Sequence, residues 1–115
     1  MNNKETIFDR IRDKKAPAKV LYEDENALAF QDIQPQAPIH VLVIPKKKIV
    51  NFDELDMWTD QETGTFFRSV HKVIEYLQLK NGYRLIINSG HFGQQSVDYL
   101  HVHILSGRQL SWPPG

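Results

Sequence analysis

Residues 59–77, "TDQETGTFFRSVHKVIEYL", repeat apolar side chains at helical spacing. Phe66, Val70, Val73 and Leu77 follow at intervals of four, three and four, with Phe67 and Ile74 beside them. That pattern predicts a helix with one core-facing stripe. "TDQE" at its start is a capping box, in which the Thr59 hydroxyl and the Glu62 carboxylate each reach a free backbone N–H. Asn81-Gly82 is the expected stop. His71 falls off the stripe and is expected to be exposed and inert.

Around this helix the apolar runs are short and of strand type. "KVLYED" and "ALAFQDI" read as two strands joined at Glu25-Asn26. "HVLVIP" is nearly all apolar, which predicts a central strand. The following run, Lys46 to Lys48, is read as a solvated loop. "YRLIIN" is a further strand, and "SGHFGQQ" is a loop. A second, short helix is expected over residues 6–14, capped by Thr6 with Asp9 three residues on, Ile7 and Ile11 sharing a face, and Pro17 beyond its end. Strands and helices mix without regular alternation, so the fold class is α+β.

The segment "SVDYLHVHIL" carries the chemistry. Tyr99, His101 and His103 share one parity, and Leu100, Val102 and Ile104 the other. On a strand, two imidazoles would stand side by side on one face with an aliphatic row behind. Three readings compete. One is a packed, hydrogen-bonded pair, which is costly for two buried imidazoles unless their polar atoms are satisfied. Another is a metal site with His40 or His91 as third ligand, which Asp98 cannot join because it points to the opposite face. The third is catalysis at a phosphate, since imidazole titrates near neutrality and can attack phosphorus or donate a proton. The Gly-, Gln- and Ser-rich loop before His101 offers neutral donors to an anion. It is neither a Walker loop nor a dinucleotide-type glycine pattern.

Composition narrows the setting. The 115 residues suit one domain, and 14 basic against 14 acidic side chains argue against a nucleic-acid binder. The chain has no cysteine, which excludes disulfides, thiolate zinc ligands and a cysteine nucleophile. The charged N-terminus is no signal peptide, and no apolar run approaches the roughly 18 residues of a membrane span. A cytoplasmic protein without membrane attachment is expected.

"QSVDYLHVHILSGRQLSWPPG" resembles the C-terminal segment of the histidine-triad (HIT) superfamily in its Hint branch of nucleotide-binding phosphoramidases. "TIFDRI", "PAKVLYEDENALAFQDIQPQAPIHVLVIPKK" and "RLIINSG" resemble the family's earlier segments in the same order, so the likeness covers essentially the whole chain. The resemblance implies a single HIT domain over residues 1–115, with a tail at 106–115. It implies a mostly antiparallel five-stranded sheet with one long and one short helix, pairing into a homodimer. The implied activity is a purine nucleoside phosphoramidase that releases AMP or GMP through a nucleotidyl-histidine intermediate, with no metal and no cofactor. His101 would be the nucleophile, His103 a phosphate-oxygen ligand, and His40 a further histidine near them. Ser96, Gln94, Gln95 and Asn88 would meet the phosphate end. Asp32 and Ile33 would hold the ribose, Phe30 would help line the base slot, and Trp112 would reach toward the partner's site.

Tyr99 departs from the pattern, standing where the first triad histidine would be. A phenol titrates near 10 and is no proton reservoir at neutral pH, but its hydroxyl can hydrogen-bond and its backbone carbonyl is unchanged. If that carbonyl orients His101, the key contact is spared. The alternative is a catalytically weak nucleotide-binding or scaffold protein.

Overall fold

The computed structural model describes residues 4–115. Its elements are α1 (Ile7–Arg12), β1 (Val20–Glu23), β2 (Ala27–Gln31), β3 (Ile39–Pro45), a 3-10 turn (Phe52–Met57), α2 (Asp60–Leu77), β4 (Tyr83–Ile86) and β5 (Val102–Ser106). All neighbouring strands are antiparallel, in the order β1-β2-β3-β5-β4. The expected α+β fold with a five-stranded sheet and one long and one short helix is what is found.

Both predicted caps form. Thr6 and Asp9 close a reciprocal box at α1, and Thr59 and Glu62 close one at α2. The long helix ends earlier than Asn81-Gly82: Gln78 takes the left-handed conformation after Leu77, and Asn81 and Gly82, also at positive φ, turn the chain into β4. The short helix ends at Arg12, two residues before the expected limit, and Phe8 is buried with Ile11 while Ile7 is half-exposed. The inward face therefore follows the three-residue spacing of Phe8 and Ile11 rather than the four-residue pair.

Alternation along the strands divides the core in two. Ala27, Ala29, Val41, Val43, Val102 and Ile104 face α2 and pack on Phe66, Val70 and Val73. Leu28, Phe30, Leu42 and Ile44 face the other way, with Tyr99, and meet Phe8 and Ile11 of α1. Each of the larger side chains, Val, Leu, Ile or Phe, contributes roughly 1.5–3 kcal/mol when withdrawn from water. The 18-residue α2 covers its face broadly, whereas the 6-residue α1 covers only part of the other. The histidines stand on this second face.

The lysine run is not simply solvated. Lys46 pairs with Glu23, Lys47 with Glu62, and the largely buried Lys48 with Asp9, at 2.7, 2.6 and 2.9 Å. Three consecutive lysines thus tie the end of β3 to β1, α2 and α1.

Candidate active site

β5 begins at Val102, so His101 precedes the strand. The parity nevertheless persists: Leu100 and Val102 join the α2-side core, while Tyr99 joins the α1-side core. The His101 and His103 rings lie side by side, with centroids 4.9 Å apart. Antiparallel pairing of β3 with β5 places Leu42 opposite His103, which puts His40 beside it on the same face. The His40 and His103 rings are 5.2 Å apart. Asp32, just after β2, is held next to this pair by its own N–H, which donates to the His40 carbonyl at 3.0 Å.

Hydrogen-bond partners assign each imidazole its proton. The Gln36 N–H donates to His40 Nδ1 at 3.0 Å, so that nitrogen carries a lone pair and Nε2 carries the proton. His40 Nε2 lies 2.9 Å from His103 Nδ1 and 3.3 Å from Asp32 Oδ2. It donates to His103 Nδ1, which leaves the His103 proton on Nε2. His101 Nδ1 lies 2.7 Å from the Tyr99 carbonyl, which can only accept. His101 therefore holds its proton on Nδ1 and presents an unprotonated Nε2. The two neighbouring rings are set to opposite tasks, one offering a lone pair and the other a proton.

Burial disfavours the charged form of all three rings. It pushes His101 below its ordinary value against the pull of the Tyr99 carbonyl. Burial lowers His40 against the attraction of Asp32. His103 is pushed down to about 4 by burial and by the adjacent His101 and His40.

The loop over residues 88–96 is braced from within. Asn88 Nδ2 donates to the Gly93 carbonyl at 2.7 Å. Gln95 Oε1 accepts from the Gly90 N–H, and its Nε2 donates to the Val50 and Val97 carbonyls. Gln94 adopts φ 61°, its N–H donates to the His91 carbonyl, and its side chain is exposed, as Ser96 is. A side chain at Gly93 would put Cβ 2.5 Å from the Ser89 carbonyl oxygen, so the turn needs glycine there. The amides of Asn88 and Gln95 are thus committed to loop geometry, a use that residue type alone did not reveal.

The remaining expected residues are divided. Ile33 is 94% exposed beside Asp32. Phe30 is 3% exposed and packs on Phe8, so it lies behind the site and offers a ligand little surface. Trp112 is 80% exposed and stands over Arg84 of β4, not among this chain's histidines. Phe8, unremarked in the sequence, sets its ring edge-on to His101 at 5.0 Å. Asp32, His40 and His103 bring three potential ligand atoms within 4.8 Å of one another, and His91 is not in that group. The acidic partner absent near His103 in sequence comes from the β2–β3 connection.

Comparison with known proteins gives a consistent picture. The HIT domain family model matches residues 13–110. A 14 kDa zinc-binding protein of Zea mays is 44% identical over 117 residues, spanning 100% of this chain and 91% of that protein. The crystal structure of a HIT family hydrolase from Legionella pneumophila superposes with a TM-score of 0.85 at 39% identity, covering 96% of this chain and all of that one. A histidine triad nucleotide-binding protein from Candida albicans gives a TM-score of 0.78 at 30% identity, covering 95% of this chain and 83% of that one.

Proposed function

This chain belongs to the HIT domain family, and from that premise and the opposed protonation of its paired histidines we propose that it is a nucleoside phosphoramidase. His101 Nε2 attacks the α-phosphorus of a purine nucleoside 5′-phosphoramidate. The P–N bond breaks, the departing amine takes up a proton, and a nucleotidyl-histidine forms. Water then attacks phosphorus, gives up a proton, and frees His101 and the nucleoside monophosphate. His103 Nε2–H bonds a phosphoryl oxygen and stabilises the charge that builds there. Asp32 accepts from the ribose hydroxyls, and Ile33 lies under the nucleoside. The observation that carries this reading is the bond from His101 Nδ1 to the Tyr99 carbonyl, which leaves the distal nitrogen as a nucleophile. Tyr99 therefore keeps this contact although its side chain departs from the histidine pattern.

We read the active form as a homodimer. β4 is an outer strand of the sheet, and Tyr83 and Leu85 on it are about half-exposed. No helix of the described residues is long and apolar enough to cross a membrane.

The test is release of AMP from an adenosine phosphoramidate. The protein should turn it over, and His101→Ala should abolish turnover while nucleotide binding largely persists, since affinity comes mostly from ribose and base contacts. Wild-type-like turnover by this variant removes His101 from the mechanism. A second reading is carried by the gathering of Asp32, His40 and His103. Their 2.9 and 3.3 Å separations suit ligands of a small divalent cation, provided the His40 proton moves from Nε2 to Nδ1 and the Gln36 N–H gives up its bond there. Zinc held there would act as a Lewis acid toward a phosphoryl oxygen.

A further inference from the structure

We propose that Tyr99 is a positioning residue for His101, acting through a clamp between residues 45–50 and 95–100. The proposal rests on the reading of His101 as the nucleophile. The carbonyl that receives His101 Nδ1 belongs to the peptide group joining Tyr99 to Leu100, and that group is bonded at both ends. Its oxygen accepts from His101, and its N–H, that of Leu100, donates to the Ile49 carbonyl at 2.8 Å. The Tyr99 hydroxyl donates to the Pro45 carbonyl. Gln95 Nε2 reaches the Val50 carbonyl. The end of β3 and the segment after it are thus stitched to the segment before His101 at residues 45, 49 and 50.

The phenol is the central stitch. Its side chain is wholly buried, and two cations approach its ring, Lys48 Nζ at 5.4 Å and Arg12 Cζ at 5.7 Å from the centroid. Asp9 holds both cations, at 2.9 Å from Lys48 and 3.6 Å from Arg12, and is itself fixed by Thr6. Phe8 touches both the Tyr99 and His101 rings. α1, the β3 end and the approach to β5 therefore converge on one side chain. A residue that only filled space would not need the hydroxyl. Here the hydroxyl fixes the rotation of the residue whose carbonyl selects the His101 tautomer.

Tyr99→Phe removes this bond and keeps the ring. In long-range 1H–15N spectra of 15N-histidine-labelled protein, wild-type His101 should show the single Nδ1–H tautomer, and Tyr99→Phe a mixture of tautomers. On an adenosine phosphoramidate, kcat should fall about tenfold, with KM within about twofold of wild type. Lys48→Met loosens the clamp from its other side and should shift the tautomer in the same direction, which keeps the test open if the phenylalanine variant folds poorly. Ser69→Ala, remote from the clamp, should leave the tautomer unchanged. An unaltered Nδ1–H tautomer in both clamp variants overturns the proposal. Absence of turnover by the wild-type protein would instead sink the phosphoramidase reading, and the spectra would still decide the role of Tyr99.

Discussion

The three neutral imidazoles should make the fold sensitive to mild acid. The sign follows from linkage: a histidine whose folded pKa is depressed binds protons more readily in the unfolded chain. The stability it contributes is fully present above the unfolded value and is lost as pH falls toward the folded value. For His103 the window runs from 6.5 to about 4. Moving from about pH 7.5 to about pH 5 protonates the unfolded side chain almost completely and the folded one hardly at all. That difference costs about 2 kcal/mol for His103 alone. His101 and His40 are displaced in the same direction, so they add to the loss. In a domain of this size about 2 kcal/mol lowers Tm by about 8 °C.

Denaturant melts at the two pH values measure this directly. Carboxylates do not confuse the reading. Glu23, held below its ordinary 4.5 by Lys14 and Lys46, loses its contribution only further into acid. His103→Gln should be less pH-dependent over the same window by about 2 kcal/mol. The reasoning fails if wild type loses less than about 0.5 kcal/mol, or if the glutamine variant keeps the whole slope. His101 is displaced in the same direction, so the acid limb of kcat/KM should fall below the ordinary histidine range.

Two further outcomes bear on the ligand. Asp32→Ala should weaken ribonucleotide binding far more than binding of 2′,3′-dideoxy analogues, because each lost charge-assisted bond is worth about 1.5–3 kcal/mol; equal losses by calorimetry would reduce Asp32 to the turn role it also plays toward the Gln34 N–H. EDTA should leave turnover unchanged, whereas loss of activity with rescue by zinc would favour the cation reading of Asp32, His40 and His103.

Features governed by local periodicity were legible in the sequence. The stripe from Phe66 to Leu77, both capping boxes and the alternation around His101 depend on neighbours within a few residues, and the structure contains each of them. The alternation survives even though β5 starts one residue after His101 and the chain bends over residues 97–99, because the Leu100 N–H is held by the Ile49 carbonyl. What sequence spacing could not supply is partnership across the sheet. His40 and His103 are 63 positions apart, and only the β3–β5 register makes them neighbours. Nothing in the sequence marks Gln36, yet its N–H decides the tautomer of His40 and through it that of His103. The lysine run looked solvated because charge pairs with Glu23, Glu62 and Asp9 are invisible until three elements meet.

Tyr99 shows the same division within one residue. Its side chain breaks the histidine pattern, and residue type alone argues for lost chemistry. The function assigned to that position here resides in the backbone carbonyl, which any residue supplies, provided the chain holds it still. A histidine could turn toward His101 but would be too short to meet Pro45 as the phenol does. The phenol reaches the carbonyl and stays neutral, with burial raising it to about 12. It also adds no fourth titrating ring to a cluster where each charge would disfavour the next. The substitution exchanges a group that can change protonation near neutrality for one that cannot, while leaving the nucleophile's hydrogen-bond partner in place.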